Sequence, residues 1–286
     1  MKMVKKLSML AVGTMLLGSL TGVASAAQAT DQASVAPAVS VTASTWHQTS
    51  SQTFWVLDAL ERGQGVTSDG SGFIFNSNFG LLRTSVDGKS VQARNTGAIP
   101  SEISNLGGNH IGDISYYNGK IYAPIEDSEH YEHPFIALFD AQTLKYTGTS
   151  YALPLNLHKG GVPWVAVDAQ RGQVYTAQWS NATVLNVFSL ADMQLIKTVP
   201  LTQSIDRIQG AEMYNGLLYA SSDNSTKSVL TIDPDTGNVA VAFDRNLPSG
   251  TEAQGIAVLP TANGAALHIL EVGSNRVSVN FRHYAQ

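Results

Sequence analysis

Met213-Tyr214-Asn215-Gly216-Leu217-Leu218-Tyr219 reads as an apolar strand, a tight Asn-Gly turn and a second apolar strand. The same phrase stands at Tyr116-Tyr117-Asn118-Gly119-Lys120-Ile121-Tyr122 and, more loosely, at Ala169-Gln170-Arg171-Gly172-Gln173-Val174-Tyr175. An earlier copy is Ser68-Asp69-Gly70-Ser71-Gly72-Phe73-Ile74-Phe75, and a degenerate one is Thr261-Ala262-Asn263-Gly264-Ala265-Ala266-Leu267. Counted from the last glycine of each copy, the spacings are 119−72 = 47, 172−119 = 53, 216−172 = 44 and 264−216 = 48. Short strands repeating every 40 to 50 residues are the signature of a β-propeller.

Each repeat has room for four antiparallel strands, A innermost to D outermost. The A strands read Gln64–Thr67, Ile111–Ser115, Val162–Val167, Gln209–Met213 and Gln254–Val258. Glycine recurs in them because these strands crowd around the axis. The B strands follow the turns, and Pro234-Asp235-Thr236-Gly237 marks a C–D hairpin. The last repeat is one strand short, while Thr53-Phe54-Trp55-Val56-Leu57 is left over near the start. That run closes the ring and removes an exposed sheet edge. The expected fold is therefore all-β, a propeller of five blades, or six if residues 40–60 hold more than one strand.

Outward from the repeats, Lys2, Lys5 and Lys6 precede the apolar stretch Leu7–Leu20, and Ala24-Ser25-Ala26 offers a small-residue cleavage site. Residues 1–26 read as an export signal, 27–44 as a flexible lead-in and 45–286 as one propeller domain. Export to a periplasm or to the extracellular space is expected. There is no cysteine, so thiolate chemistry and disulfides are excluded. The net charge is −5, or −5−3 = −8 without the three signal lysines. That balance argues against nucleic acid and against an anionic membrane surface. No segment after the signal is apolar for long enough to insert in a membrane. The expected partners are a small molecule, a peptide or a glycan at the channel mouth of a monomer. Asn181-Ala182-Thr183 and Asn224-Ser225-Thr226 are read as unmodified sequons.

The start of strand A and the end of strand B open on one face of a propeller, around the channel. Polar residues at the A starts are Gln64, His110, Asp113, Trp164 (through its indole), Gln209, Glu212, Glu252 and Gln254; those at the B ends are Asn76, Asn78, Glu126, Asp127, Gln178, Asp223 and Glu271. Seven of these fifteen are carboxylates in a chain only 14% charged. Converging carboxylates need a cation among them or raised pKa values. Glu126, Asp223, Glu252 and Glu271 are the candidate ligands of a hard cation such as Ca²⁺. Asp113, Glu212 and His110 are the candidate acid–base residues. Gln64, Trp164, Gln178, Gln209 and Gln254 are the candidate ligand contacts. No organic cofactor is expected. Trp164 fits a pocket wall or a packed core equally well, because Val165 and Val167 flank it. The loop Glu126–Pro134 carries His130 and His133, which with Glu126 could hold a transition metal but read more simply as a solvated loop. His158 reads as an exposed loop histidine. The absence of Gly-x-Ser-x-Gly, His-Glu-x-x-His, a phosphate loop and a dinucleotide fingerprint argues against a serine hydrolase or a nucleotide-binding oxidoreductase.

The phrases Gln209-Gly210-Ala211-Glu212 and Glu252-Ala253-Gln254-Gly255-Ile256-Ala257-Val258 resemble exported bacterial propellers of the gluconolactonase, strictosidine-synthase and NHL-repeat type. That resemblance covers about residues 60 to 285 and implies a calcium site of acidic and amide side chains, as in the lactonases. The blade order of Gln64-Gly65-Val66, Gly112-Asp113, Trp164, Glu212 and Gln254-Gly255-Ile256-Ala257 is also similar to the five-bladed plant-type glutaminyl cyclases. There it implies that an acid in the second blade assists cyclisation. Asp113 stands where that family has glutamate, and Arg62-Gly63 stands where it has Phe-Thr. Three functions follow as expectations: a divalent-metal-assisted lactonase or esterase, a glutaminyl-cyclase-like acyltransferase, and a non-catalytic propeller that binds a peptide, glycan or protein.

Overall fold

The glycine phrases lie at the hairpins that join the two inner strands of each blade. A computed structural model of the chain describes residues 45–286; the export signal and lead-in expected over 1–44 lie outside the described residues. The chain enters with β1 (His47–Trp55) and the short helix α1 (Leu57–Leu60). Blade 1 is β2 (Gly65–Ser68), β3 (Gly72–Asn76), β4 (Leu81–Ser85) and β5 (Val91–Asn95). After α2 (Ser101–Ser104) comes blade 2, formed by β6 (His110–Ile111), β7 (Ser115–Tyr117), β8 (Lys120–Glu126), β9 (Phe135–Asp140) and β10 (Tyr146–Ala152). Blade 3 is β11 (Ala166–Asp168), β12 (Gln173–Thr176), β13 (Ala182–Ser189) and β14 (Leu195–Ile205). Blade 4 is β15 (Ile208–Tyr214), β16 (Leu217–Ser222), β17 (Ser228–Ile232) and β18 (Val239–Asp244). Blade 5 takes β19 (Glu252–Val258), β20 (Leu267–Val272) and β21 (Ser278–Ala285), and its fourth strand is β1.

The expected closure is present: β1 runs antiparallel to β21, from His47 opposite Ala285 to Trp55 opposite Ser278. The closing strand starts earlier than the apolar run Thr53–Leu57 implied, and ends earlier too, because Val56 and Leu57 turn away into α1. Asn118-Gly119 and Asn215-Gly216 both take positive φ at two successive residues (46° and 77°, 49° and 82°), the backbone of a hairpin turn whose twist matches its strands. In blade 1 the positive-φ glycine is Gly70, and Gly72 already belongs to β3. The turn there is held by Asp69, which accepts the amides of Ser71 and Gly72.

Alternation along the strands sends apolar side chains to both faces of each blade, and five separate apolar clusters result. They lie between blades 1 and 2 (around Ile74, Ile121 and Phe139), 2 and 3 (Leu138, Val165, Phe188), and 3 and 4 (Trp164, Tyr175, Ile232). The others lie between blades 4 and 5 (Tyr219, Ile269, Tyr284) and 5 and 1 (Phe54, Phe75, Phe281). Five clusters for five blades is the count of a closed ring; an open stack would have four. The last cluster joins the two ends of the chain. Phe54 of β1 meets Phe75 of blade 1 edge to face at 5.9 Å, and the guanidinium of Arg62 lies 4.5 Å over its ring.

Two innermost strands differ from the sequence reading. Blade 2 has β6 and β7 in place of one strand over Ile111–Ser115, and blade 3 has only Ala166–Asp168 in place of Val162–Val167. The cause is a crossing between the blades: Asp113 N–H donates to Pro163 O at 2.8 Å, and Val165 N–H donates back to Asp113 O. A Cβ on Gly112 would stand 2.1 Å from Pro163 O, so this approach requires glycine.

Candidate functional site

The crossing turns the Asp113 side chain onto the axis. Its Oδ1 accepts the amide of Val66 at 2.8 Å, and its Oδ2 faces the amide of Ile256 at 3.4 Å. The amide of Ala211 also points at this carboxylate. Each of these amides follows a glycine, in the repeated pairs Gln64-Gly65, Gln209-Gly210 and Gln254-Gly255. A Cβ at any of the three glycines would stand 2.2–2.7 Å from an Asp113 oxygen. The repeated Gln-Gly pairs therefore make a ring of backbone donors around one carboxylate from blade 2. Asp113 is 1% exposed and does not face the mouth. Burial, together with the nearby Glu212, pushes its pKa well above the usual carboxylate range, against the pull of the three amides.

Glu212 lies next along the axis. It accepts Ser115 Oγ at 3.0 Å and Thr67 Oγ1 at 3.3 Å, from blades 2 and 1. Ser115 in turn accepts the amide of Val167 in blade 3. Burial pushes the Glu212 pKa up to about 8, so its carboxyl is protonated at neutral pH. Asp113 and Glu212 thus form a polar column that fills the channel.

The mouth itself holds a different group. His110 Nδ1 lies 3.0 Å from Glu126 Oε1, and His110 Nε2 meets the Gln64 amide. Glu126 Oε2 accepts the amide of Val162. Of the acid–base candidates, His110 thus bonds neither Asp113 nor Glu212; its partner is Glu126, its cross-strand neighbour between β6 and β8. Gln209 reaches Glu252 at 3.5 Å, and Gln178 bonds the carbonyl of Ser180 beside Gly160. Gln254 is buried beneath them.

The four carboxylates read as cation ligands do not converge. Asp223 is held by Arg207 and by Lys227 Nζ at 2.5 Å, and it also accepts the amide of Ala253. Glu252 pairs with Arg276. Glu271 takes both ends of the Arg282 guanidinium and the amide of Asn280. Glu126 is committed to His110 and Val162. Each acid is neutralised or hydrogen-bonded where it stands, and among the described residues no three of His, Cys, Asp and Glu are grouped to hold a metal ion. His130 pairs with Asp127 at 3.3 Å, away from Glu126.

Burial decides the place of two further residues. Trp164 is fully buried in the cluster between blades 3 and 4, so it is core and not a pocket wall. His158 stands in a loop, after the turn Leu155–Leu157, but is fully buried rather than exposed, bonding Pro154 O and Thr176 Oγ1. Burial lowers its pKa.

Sequence reasoning missed an apolar cavity beside the mouth. A cavity of about 480 Å³ opens between blades 5 and 1, with Val56, Leu60, Phe79 and Val277 on its walls and Gln64 and Asn78 among its polar groups. Its apolar lining is open to solvent: Leu60 is 67% exposed, Val56 57% and Phe79 56%, and an adjoining groove carries the exposed Trp55 and Leu57. Val56 adopts φ 50° and ψ −108°, a strained backbone for a β-branched residue. Positive φ at Val56 is invisible in sequence, but the run Trp55-Val56-Leu57 before a charged helix was a signal that one strand would not absorb.

No curated protein matches the chain. Among solved structures, the crystal structure of the computationally designed Ika8 protein aligns with 10% identity and a TM-score of 0.37, over 76% of this chain and 57% of that one. The chain thus spans little more than half the length of that protein. A family model described as a repeat of unknown function, DUF6923, matches residues 121–268, from β8 of blade 2 into β20 of blade 5. Since that match covers half of the chain, this five-bladed propeller belongs to the DUF6923 repeat family.

Proposed function

We propose that this protein is a binding propeller that seats an apolar side chain of an extended peptide in the cavity between blades 5 and 1. The observation that carries this reading is the cavity with its exposed apolar lining of Val56, Leu60, Phe79 and Val277, next to the groove of Trp55 and Leu57. Contiguous apolar surface around a concave site marks a binding surface. The charges at its edge are already paired: Asp58 with Arg62, Glu61 with Arg94, Glu252 with Arg276. A neutral anchor suits such a rim better than a charged one. Gln64, Ser77 and Asn78 offer polar groups for the backbone that carries the anchor. Burying one large apolar side chain contributes about 2–3 kcal/mol, or roughly 30- to 150-fold in affinity.

The test is a peptide array probed with the purified protein, with titration calorimetry as the readout for the best sequences in solution. Peptides carrying Leu, Phe or Trp should bind, and Leu60→Asp or Phe79→Ser should weaken them at least tenfold. Binding that survives both substitutions, or no binding at all, would sink the reading.

One observation favours a catalytic alternative of the hydrolase or cyclase type. Glu126 orients His110 through Nδ1 and leaves Nε2 toward Gln64 at the mouth, the geometry of a positioned general base. Turnover of a lactone, an ester or an N-terminal glutamine peptide that disappears in His110→Ala would support it.

A further inference from the structure

We propose that His268 and His283 form an acid-released latch on the strand that closes the ring. The two Nδ1 atoms lie 2.6 Å apart, on neighbouring strands β20 and β21. His268 Nε2 lies 2.7 Å from the carbonyl of Leu259, which can only accept. That nitrogen therefore carries the hydrogen of the neutral ring, and His268 Nδ1 presents a lone pair. His283 must donate through Nδ1, which leaves its Nε2 as an acceptor. The Gln52 amide nitrogen of β1 stands 3.5 Å from it and donates at 3.1 Å to the carbonyl of Asp87 in the outer turn of blade 1. The chain of donors runs one way, from Gln52 through His283 and His268 to Leu259. It ties β1 to β21, to β20 and to the next blade.

Another proton fits this chain only if the chain is rearranged. A proton on His268 Nδ1 sets N–H against N–H unless His283 moves its hydrogen to Nε2, and that hydrogen then meets the Gln52 amide, whose unpartnered Oε1 must turn to accept it at the cost of the bond to Asp87. The rings cannot turn away easily, because Phe73 and Phe281 pack against His268 at 5.0 and 5.9 Å. Asp87 is the one ionisable group other than the pair that lines the cavity beside them. Its carboxylate is bound within its own turn by Ser85, Lys89 and Ser90, which hold its pKa low. Glu271 and Arg282, on the same two strands, stand at positions of opposite parity and pair with each other. β1 offers only His47 at its far end, and Tyr284 of β21 lies in the cluster with blade 4. The one charge beside a protonated imidazole is thus that of Asp87, whose oxygens are engaged within its own turn and bond neither ring. Burial lowers the His268 pKa to about 4 and lowers that of His283 as well.

A histidine depressed in the folded state stabilises it fully above the unfolded value near 6.5, and that contribution is lost as pH falls toward the folded value. For His268, acidification from pH 7 to pH 5 shifts the closed-to-open ratio by about twentyfold. The opened state exposes the edge of β21 and frees β1.

Hydrogen exchange by mass spectrometry on the full chain, with rates divided by their intrinsic values at each pH, reads the latch. Protection of peptides in β1 and at the end of β21 should fall about twentyfold from pH 7 to pH 5, while β16 peptides change little. In the double variant His268→Asn, His283→Asn the fall should vanish. Protection of β1 that is unchanged at pH 5, or that falls equally in β16, would overturn the proposal from the wild-type protein alone. So would an undiminished fall in the double variant.

Discussion

The Oδ1 atom of Asp113 accepts the backbone amide of Val66 at 2.8 Å, so a blade 2 side chain is bonded directly to the innermost strand of blade 1. With Ile256 and Ala211 on the same carboxylate, the side chain ties blade 2 to blades 1, 4 and 5 through the axis, while the Asp113 backbone meets blade 3 at Pro163 and Val165. Asp113→Ala leaves three buried amides without a partner. The expected cost is about 3 kcal/mol or more, a fall of roughly 6–12 °C in melting temperature. Scanning calorimetry checks it; a fall under 2 °C would show that water replaces the carboxylate without loss.

Glu212 sets the alkaline side of the stability profile. Its folded pKa of about 8 lies above the unfolded value, so its contribution is complete below about pH 4.5 and is lost as pH rises through 8. Glu212→Gln keeps the shape and removes the ionisation. The variant should show a flatter urea midpoint between pH 5 and 9 than the wild type, and should be the more stable of the two at pH 9. A parallel loss in both proteins would assign the alkaline slope to another group.

Calcium is expected to change little. Asp223, Glu252 and Glu271 already have Lys or Arg partners, and a cation would have to displace them. Melting temperatures in EDTA and in excess Ca²⁺ should agree within about 1 °C, since only a ligand of the folded state shifts them. A rise of several degrees would mean that these carboxylates regroup around the ion.

Neighbouring residues of the closing segment should differ sharply in effect. Phe54 is buried against Phe75 and Phe281, and Phe54→Ala should cost about 3–5 kcal/mol. Leu57, three residues on, faces solvent, and Leu57→Ser should change stability by less than about 0.5 kcal/mol. Denaturant midpoints of the two variants decide this. Equal costs would mean that the Leu57 surface is covered in the folded protein.

The five blades and their closure were legible because hairpins are local. An Asn-Gly pair between apolar runs states its own geometry, and four of the five copies keep the positive-φ glycine in register. The mouth was legible only as a set of residue types. Asp223 lies four residues before Lys227, a pairing the sequence could have signalled, but Glu271 meets Arg282 across two strands, and Asp223 meets Arg207 across β15 and β16, just beyond the Ile208–Ser222 pair. Those counter-ions turn a ring of apparent ligands into separate ion pairs. The role of Asp113 depended on the Pro163 carbonyl of the next blade, which no window along Ile111–Ser115 contains. The apolar cavity was hidden for the same reason, being assembled from residues 56–64, 77–79 and 272–279.

His47 stands opposite Ala285 in an antiparallel pair, and this has a mechanical consequence. The two ends of the described chain leave the ring side by side, at the same end of one ladder. A force applied between them would part β1 from β21 one hydrogen bond at a time, as a zip opens, rather than loading all the bonds together in shear. The closure is therefore loaded one residue pair at a time when its two ends are pulled apart. The same adjacency means that a short linker from Gln286 to Thr45 would make the circle covalent, and new ends could be cut in the outer turn of another blade without disturbing the axis.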